Sequence, residues 1–303
     1  MSSLPTTFEV RLPGPLDIPT SLEPFRRSGD DLIDRWDGIT LIRTIHVGDQ
    51  GVAYACTVTG AVEEPALQVT IEDAVHRQVV ELALSATFVS PPLSYSELLH
   101  IDPVLARLEA RYRGLRPVLQ LDLLTALVRC ISAQQVNLQW ATTTRRRLAE
   151  TFGEKHVVAG QIVYSLSAER LAGATHAQIR ALQFTSRKAE YLIGAAEAVA
   201  SGSLRLADLA SLPDEEFIAR LTALRGIGRW TAEWLLARTL GRPCVVAGDL
   251  GVRKAVGRAY LRTPLPSEQE VRRATAHWGP LAGVAQILLL HASGEGTLGS
   301  EIS

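Results

Sequence analysis

The chain is poor in cysteine, methionine, lysine and aromatic residues, and it has no long hydrophobic run. Its three cysteines, Cys56, Cys130 and Cys244, are odd in number and far apart. They fit a reducing compartment and exclude a four-cysteine zinc or iron–sulfur site. The apolar run from Val284 to Leu290 is far shorter than the roughly 20 residues a membrane-spanning helix needs. Met1 to Val10 has neither a basic start nor an apolar centre, so no secretory leader is expected and a cytoplasmic location is. Only Lys155, Lys188 and Lys254 are lysines; the other basic side chains are arginines. What remains is ordinary for a folded domain: 47% of residues are hydrophobic and 21% charged, which excludes a disordered chain.

Net charge is −1, which by itself argues against an anionic partner. The charge is unevenly spread, however. Residues 1–100 hold 6 basic against 14 acidic residues, whereas 101–190 hold 13 against 7 and 220–275 hold 11 against 4. Two basic blocks in a near-neutral chain fit either solvated helix faces or an anionic partner.

The fold class expected is α+β. Residues 1–95 form one unit, with short β-branched runs at 8–12, 39–47, 52–59 and 67–71. Gly48-Asp49-Gln50-Gly51 reads as a hairpin connection. A helix is expected over 73–86, capped by Asp73 and showing Val75, Val79, Leu82 and Leu84 as its apolar positions. Ser90-Pro91-Pro92 then breaks the chain. Residues 96–303 carry almost no strand signal and read as an all-α domain. Its helices are expected near 103–113, 121–131, 135–152, 168–172, 175–182, 187–201, 214–224, 229–240, 251–260, 267–278 and 283–292. Ser267 to Glu270 matches a capping box.

The most informative stretch is Leu224-Arg225-Gly226-Ile227-Gly228-Arg229-Trp230-Thr231-Ala232, between two helical segments. Two closely spaced glycines allow a tight turn. Ile227 between them is placed to plug the core. The following helix starts with free N–H groups at Gly228, Arg229 and Trp230, which suit a phosphate through donors and dipole. Arg225 and Arg229 add positive charge. Nineteen residues after Trp230, beyond Gly241-Arg242-Pro243, Asp249 opens a further helix. On its own such an Asp is most often an N-cap. Trp230 and Trp234, at i and i+4, share a helix face, a spacing more often seen in cores. Ile131-Ser132-Ala133-Gln134-Gln135-Val136-Asn137 links an apolar helix to the Arg145-Arg146-Arg147 helix; those three arginines read as a solvated face.

These strings together resemble the helix-hairpin-helix DNA glycosylase superfamily, in which the hairpin pattern is Leu-x-Gly-Ile/Val-Gly-x-x-Thr-Ala. Within it, the chain is most similar to the DNA-3-methyladenine glycosylase II type, over residues 5–292. The resemblance implies an N-terminal antiparallel sheet with helices, followed by an all-α helix-hairpin-helix domain. It implies a base excision repair enzyme that flips an alkylated purine out of double-stranded DNA and hydrolyses its N-glycosidic bond. Asp249 would be the catalytic carboxylate. Gln135, with Gln134 beside it, would fill the space left by the flipped base. Arg225, Gly226, Ile227, Gly228, Arg229 and Thr231 would meet the DNA backbone. Trp230, Trp234 and Leu281 would line the base site, to which Leu22 or Phe25 would also reach. The backbone carbonyls of Thr222, Leu224 and Ile227 would hold a monovalent cation; no other cofactor is implied. A monomer acting at the bacterial nucleoid is the corresponding expectation.

Members that also cut the strand carry a lysine where this chain has Trp230, which implies a monofunctional enzyme. Two departures bear on substrate range. Leu281 stands where the type has a tryptophan, and Gly248 where it has a second Asp. Hypoxanthine, oxidised bases or a non-catalytic lesion-binding role are the alternatives.

Overall fold

The computed structural model describes residues 5–48 and 50–298. Asp49, in the expected hairpin connection, lies outside the described residues.

Five antiparallel strands form the N-terminal sheet: β1 (Thr6–Arg11), β2 (Arg35–Trp36), β3 (Thr40–Val47), β4 (Gln50–Val58) and β5 (Ala66–Ile71), in the order β1-β5-β4-β3-β2. Side-chain alternation sorts its two faces. Val52, Tyr54 and Cys56 of β4 join Leu41 and Ile45 of β3 in a core closed by α1 (Ile18–Arg27) and α2 (Arg77–Thr87). In α1, Pro19 falls in the first turn, where the missing N–H costs nothing, whereas Pro24 lies inside the helix and removes one intrahelical bond. Asp73 does cap the turn before α2. The buried stripe of α2 is Val80, Leu84 and Thr87, whereas Val75 and Leu82 are exposed.

Helices α3 (Tyr95–Ile101), α4 (Pro103–Arg111), α5 (Leu123–Ala133) and α6 (Leu138–Phe152) lead into the helical part. The chain then departs from the all-α expectation. Strands β6 (Gly153–Val158) and β7 (Gln161–Leu166) form a hairpin across Ala159 and Gly160, both at positive φ. Val158 and Val163 of this hairpin pack on Ile42 and Ala55, on the second face of the N-terminal sheet. That contact explains the strands: their apolar residues answer a sheet that lies a hundred residues earlier.

The remaining helices are α7 (Ala168–Ala172), α8 (His176–Ala181), α9 (Ser186–Ala200), α10 (Leu206–Ala210), α11 (Asp214–Thr222), α12 (Arg229–Arg238), α13 (Leu250–Val256), α14 (Glu268–Ala274) and α15 (Ala282–Gly294). They build two cores. One unites α5, α6, α9, α11 and α12; the other joins α3, α4, α13 and α15 around the fully buried Trp278. The junction between α12 and α13 therefore bridges the two cores, and Asp249 lies in it.

Candidate active site and nucleic-acid interface

The connection from α11 to α12 is shaped by packing. Gly226 has φ +85°, and a Cβ there would come within 2.1 Å of the Tyr191 ring. No other residue fits both constraints. Ile227 is 5% exposed and plugs the core. Gly228 is extended and caps α12 without a side chain, so no side-chain oxygen covers the first amides of that helix. The arginines of the turn are paired: Arg225 pairs with Glu190, and Arg229 lies 2.8 Å from both Glu215 and Glu233. These carboxylates raise the pKa of Arg229 and offset its charge. Thr231 is buried at 1% exposure, so its hydroxyl stands inside the protein and not on the expected DNA-facing surface.

Asp249 is held by two neutral donors. Its Oδ1 accepts the Val252 N–H at 3.0 Å as the N-cap of α13, and its Oδ2 accepts the Trp230 Nε1–H at 3.1 Å. Beyond the aromatic-wall role expected for it, Trp230 thus carries a hydrogen bond to the carboxylate. Residue spacing alone carries no signal of it, since a 19-residue gap fixes no orientation. Trp234 follows one turn later and is also partly open. Beside Asp249, a Cβ on Gly248 would sit 3.2 Å from Glu268 Oε1, so a second acidic side chain there would face a carboxylate.

The turn between α5 and α6 is tied down on three sides. Gln134 Nε2 donates to the Gly226 carbonyl at 3.0 Å, joining this turn directly to the glycine hairpin. Lys188 Nζ donates to the Ser132 carbonyl at 2.7 Å, and Arg145 Nη1 to Ser132 Oγ at 3.0 Å. Burial lowers the pKa of Lys188. Gln135 is different: it is exposed and holds φ +56°. Such a conformation is uncommon for a non-glycine residue and persists where surroundings impose it. The anchored Gln134 and the projecting Gln135 thus have separate roles in one turn.

Arg145 corrects the reading of three solvated arginines. It is 5% exposed and pairs with Asp31 at 2.9 Å. Arg146 and Arg147 stay at the surface, with Glu150 and Gln183. Asp31 belongs to a buried cluster that sequence reading missed, although the acidic stretch 30–34 opposite so many arginines was a cue. Asp34 accepts from Arg43 at 2.6 Å, Arg129 at 2.5 Å and Gln120 at 2.7 Å. Burial pushes its carboxyl up, but Arg43 and Arg129 outweigh that and hold it below its ordinary value.

The other proposed base-site residues are placed as follows. Leu22 is fully buried in the N-terminal core. Phe25 lies under the Arg43 and Arg129 guanidiniums, at 5.9 and 5.4 Å from its ring centre. Leu281 is 3% exposed within the Trp278 core, in the cluster that also holds Ala247 and Val252 on either side of Asp249. Lys254 is exposed on α13. Among the described residues no group of three or more His, Cys, Asp or Glu side chains is arranged for a metal, and no helix is long and apolar enough to cross a membrane.

Residues 128–280 match the sequence model of the HhH-GPD superfamily of base excision DNA repair proteins. The YfjP protein of Bacillus subtilis is 32% identical over 179 residues, covering 59% of this chain and 61% of that protein. The chain thus spans about three fifths of the length of its first curated relatives. Among solved structures, the 3-methyladenine DNA glycosylase of Archaeoglobus fulgidus superposes with a TM-score of 0.83 at 23% identity, over 95% of this chain and 98% of that one. The 3-methyladenine DNA glycosylase Mag1 of Schizosaccharomyces pombe, solved with abasic DNA, gives 0.55 at 27% identity, over 65% and 94%.

Proposed function

This chain belongs to the HhH-GPD superfamily of base excision DNA repair proteins, and we propose that it is a monofunctional DNA glycosylase for damaged purines, alkylated ones first. The observation that carries this reading is the Trp230–Asp249 contact, one helix start away from the glycine hairpin. Breaking an N-glycosidic bond develops positive charge on the deoxyribose. Asp249 is fixed by two neutral N–H donors, so its negative charge is not cancelled by a bound cation. It can face the sugar, stabilise the oxocarbenium ion and orient or deprotonate the incoming water.

Duplex DNA is the partner in this reading. The uncapped amides of α12 receive a backbone phosphate, a contact that carries no sequence information. Gln135 enters the stack where the purine leaves it, because a base cannot be attacked inside the duplex. Trp234, and the face of Trp230, offer indole surface to a cationic base, worth about 0.5–2 kcal/mol. Three uncharged carbonyls on one turn, those of Thr222, Leu224 and Ile227, have the donor chemistry for a monovalent cation. That of Leu224 also accepts the Ile227 N–H at 3.1 Å. When bound, such an ion supplies one positive charge beside the phosphate.

Position 230 holds no amine, so no Schiff base forms there. The two readings of the chemistry separate in one assay on methylated duplex. Free 3-methyladenine or 7-methylguanine with strand breakage only after added alkali is the expected result. Breakage without alkali contradicts the monofunctional assignment, and no free base contradicts the enzyme reading.

A further inference from the structure

Trp230, Trp234 and Arg238 stand at i, i+4 and i+8 on α12 and share one face. All three are partly open, whereas the six residues 231, 232, 233, 235, 236 and 237 are buried. The first member of this stripe bonds Asp249, so the stripe faces the candidate site. Helical side chains lean toward the N-terminus, which carries the long Arg238 side chain back along the stripe toward Trp234. Its own carbonyl accepts the Gln120 N–H at 2.8 Å, which ties this end of the helix down.

The guanidinium is unusual in what it lacks. The other buried or partly buried arginines each donate to a carboxylate or a carbonyl, as Arg43, Arg129, Arg145 and Arg272 do. The Arg238 guanidinium makes no side-chain hydrogen bond or close ion pair among the described residues, and the charge it feels is that of Asp249. Burial lowers its pKa to about 10, and the charge that acts against this is Asp249. A partly desolvated cation without a hydrogen-bonding partner is costly, and such groups gather at functional sites.

We propose that Arg238 reads the extruded base and turns the site toward neutral purines that carry a carbonyl acceptor, and away from cationic ones. This rests on the glycosylase reading above. A guanidinium donates to a carbonyl oxygen or a ring nitrogen and never accepts. A neutral oxopurine such as hypoxanthine supplies that acceptor. A cationic methylated purine gains from the indoles and Asp249 but is repelled by Arg238, so Arg238 sets the ratio between the two classes.

The test uses the full chain and two duplex substrates, one carrying hypoxanthine and one carrying 3-methyladenine, with single-turnover release measured for each. Relative to the wild type, Arg238→Met is expected to lose tenfold or more of hypoxanthine release while keeping or gaining 3-methyladenine release. Arg238→Lys, which keeps charge and length but not the planar fork, is expected to show the same split more weakly. It decides the matter if the Met variant does not fold. Equal loss on both substrates, unchanged hypoxanthine release, or a wild type that releases only 3-methyladenine overturns the proposal. A wild type that releases neither base overturns the glycosylase reading instead.

Discussion

Asp34 and Asp249 are both aspartates at the junction of larger pieces, yet their surroundings differ in kind. Asp34 is 4% exposed and receives two guanidiniums and an amide. Asp249 is partly open and receives one indole N–H and one backbone N–H. The first carboxylate is paired with cations where it stands; the second has only neutral donors hydrogen-bonded to it. A structural carboxylate thus joins the N-terminal sheet to α5, and a differently held one waits at the start of α13.

The largest expected effect is on the structural side. Asp34→Ala leaves Arg43 and Arg129 without a buried partner and should cost about 3–5 kcal/mol in denaturant unfolding. A pH dependence follows from the same pairing. Asp34 titrates lower in the folded chain than its unfolded value near 3.9, so its contribution is complete above about pH 4. It is lost as pH falls through the folded value, and Asp34→Asn should flatten the acid limb of the stability curve.

Next comes Trp230→Phe, which keeps the ring and removes the donor to Asp249. A hydrogen bond to a charged group is worth about 1.5–3 kcal/mol, so base release should drop roughly ten- to a hundredfold with little change in melting temperature. An unchanged rate would mean that Trp230 does not position Asp249. Gln135→Ala should slow release from duplex a few-fold and leave release from single strands unchanged, because only the duplex pays the unstacking cost of a few kcal/mol. The smallest effect is expected for Arg225→Ala. That side chain is 77% exposed and already paired with Glu190, and exposed pairs contribute about 0–1 kcal/mol. DNA affinity should change by less than twofold at physiological salt.

What was legible in the sequence followed from local rules. The hairpin turn announces itself because Gly226 must adopt positive φ against Tyr191, and the helix starts because Asp73, Ser267 and Asp249 are good caps. What was hidden depends on distant partners. The β6–β7 hairpin turns on Ala159-Gly160, a weak turn signal, and its apolar residues make sense only against Ile42 and Ala55. Arg145 looked solvated beside two surface arginines until Asp31 came to meet it. Leu281 reads as a base-site residue by position, yet it is enclosed in the Trp278 core. Nothing local marks Arg238 apart from the other arginines; the burial of its guanidinium in the field of Asp249 is a property of the folded chain.

The comparison between the two aspartates is tested most directly by Asp249→Asn, measured in parallel for base release from methylated duplex, lesion-DNA binding and melting temperature. Asparagine keeps an oxygen to cap α13 but sets an amide NH2 where Oδ2 accepts the Trp230 Nε1–H, so it removes the charge and that hydrogen bond together. The account predicts normal melting, retained binding and release reduced a hundredfold or more. Release at the wild-type rate would contradict it.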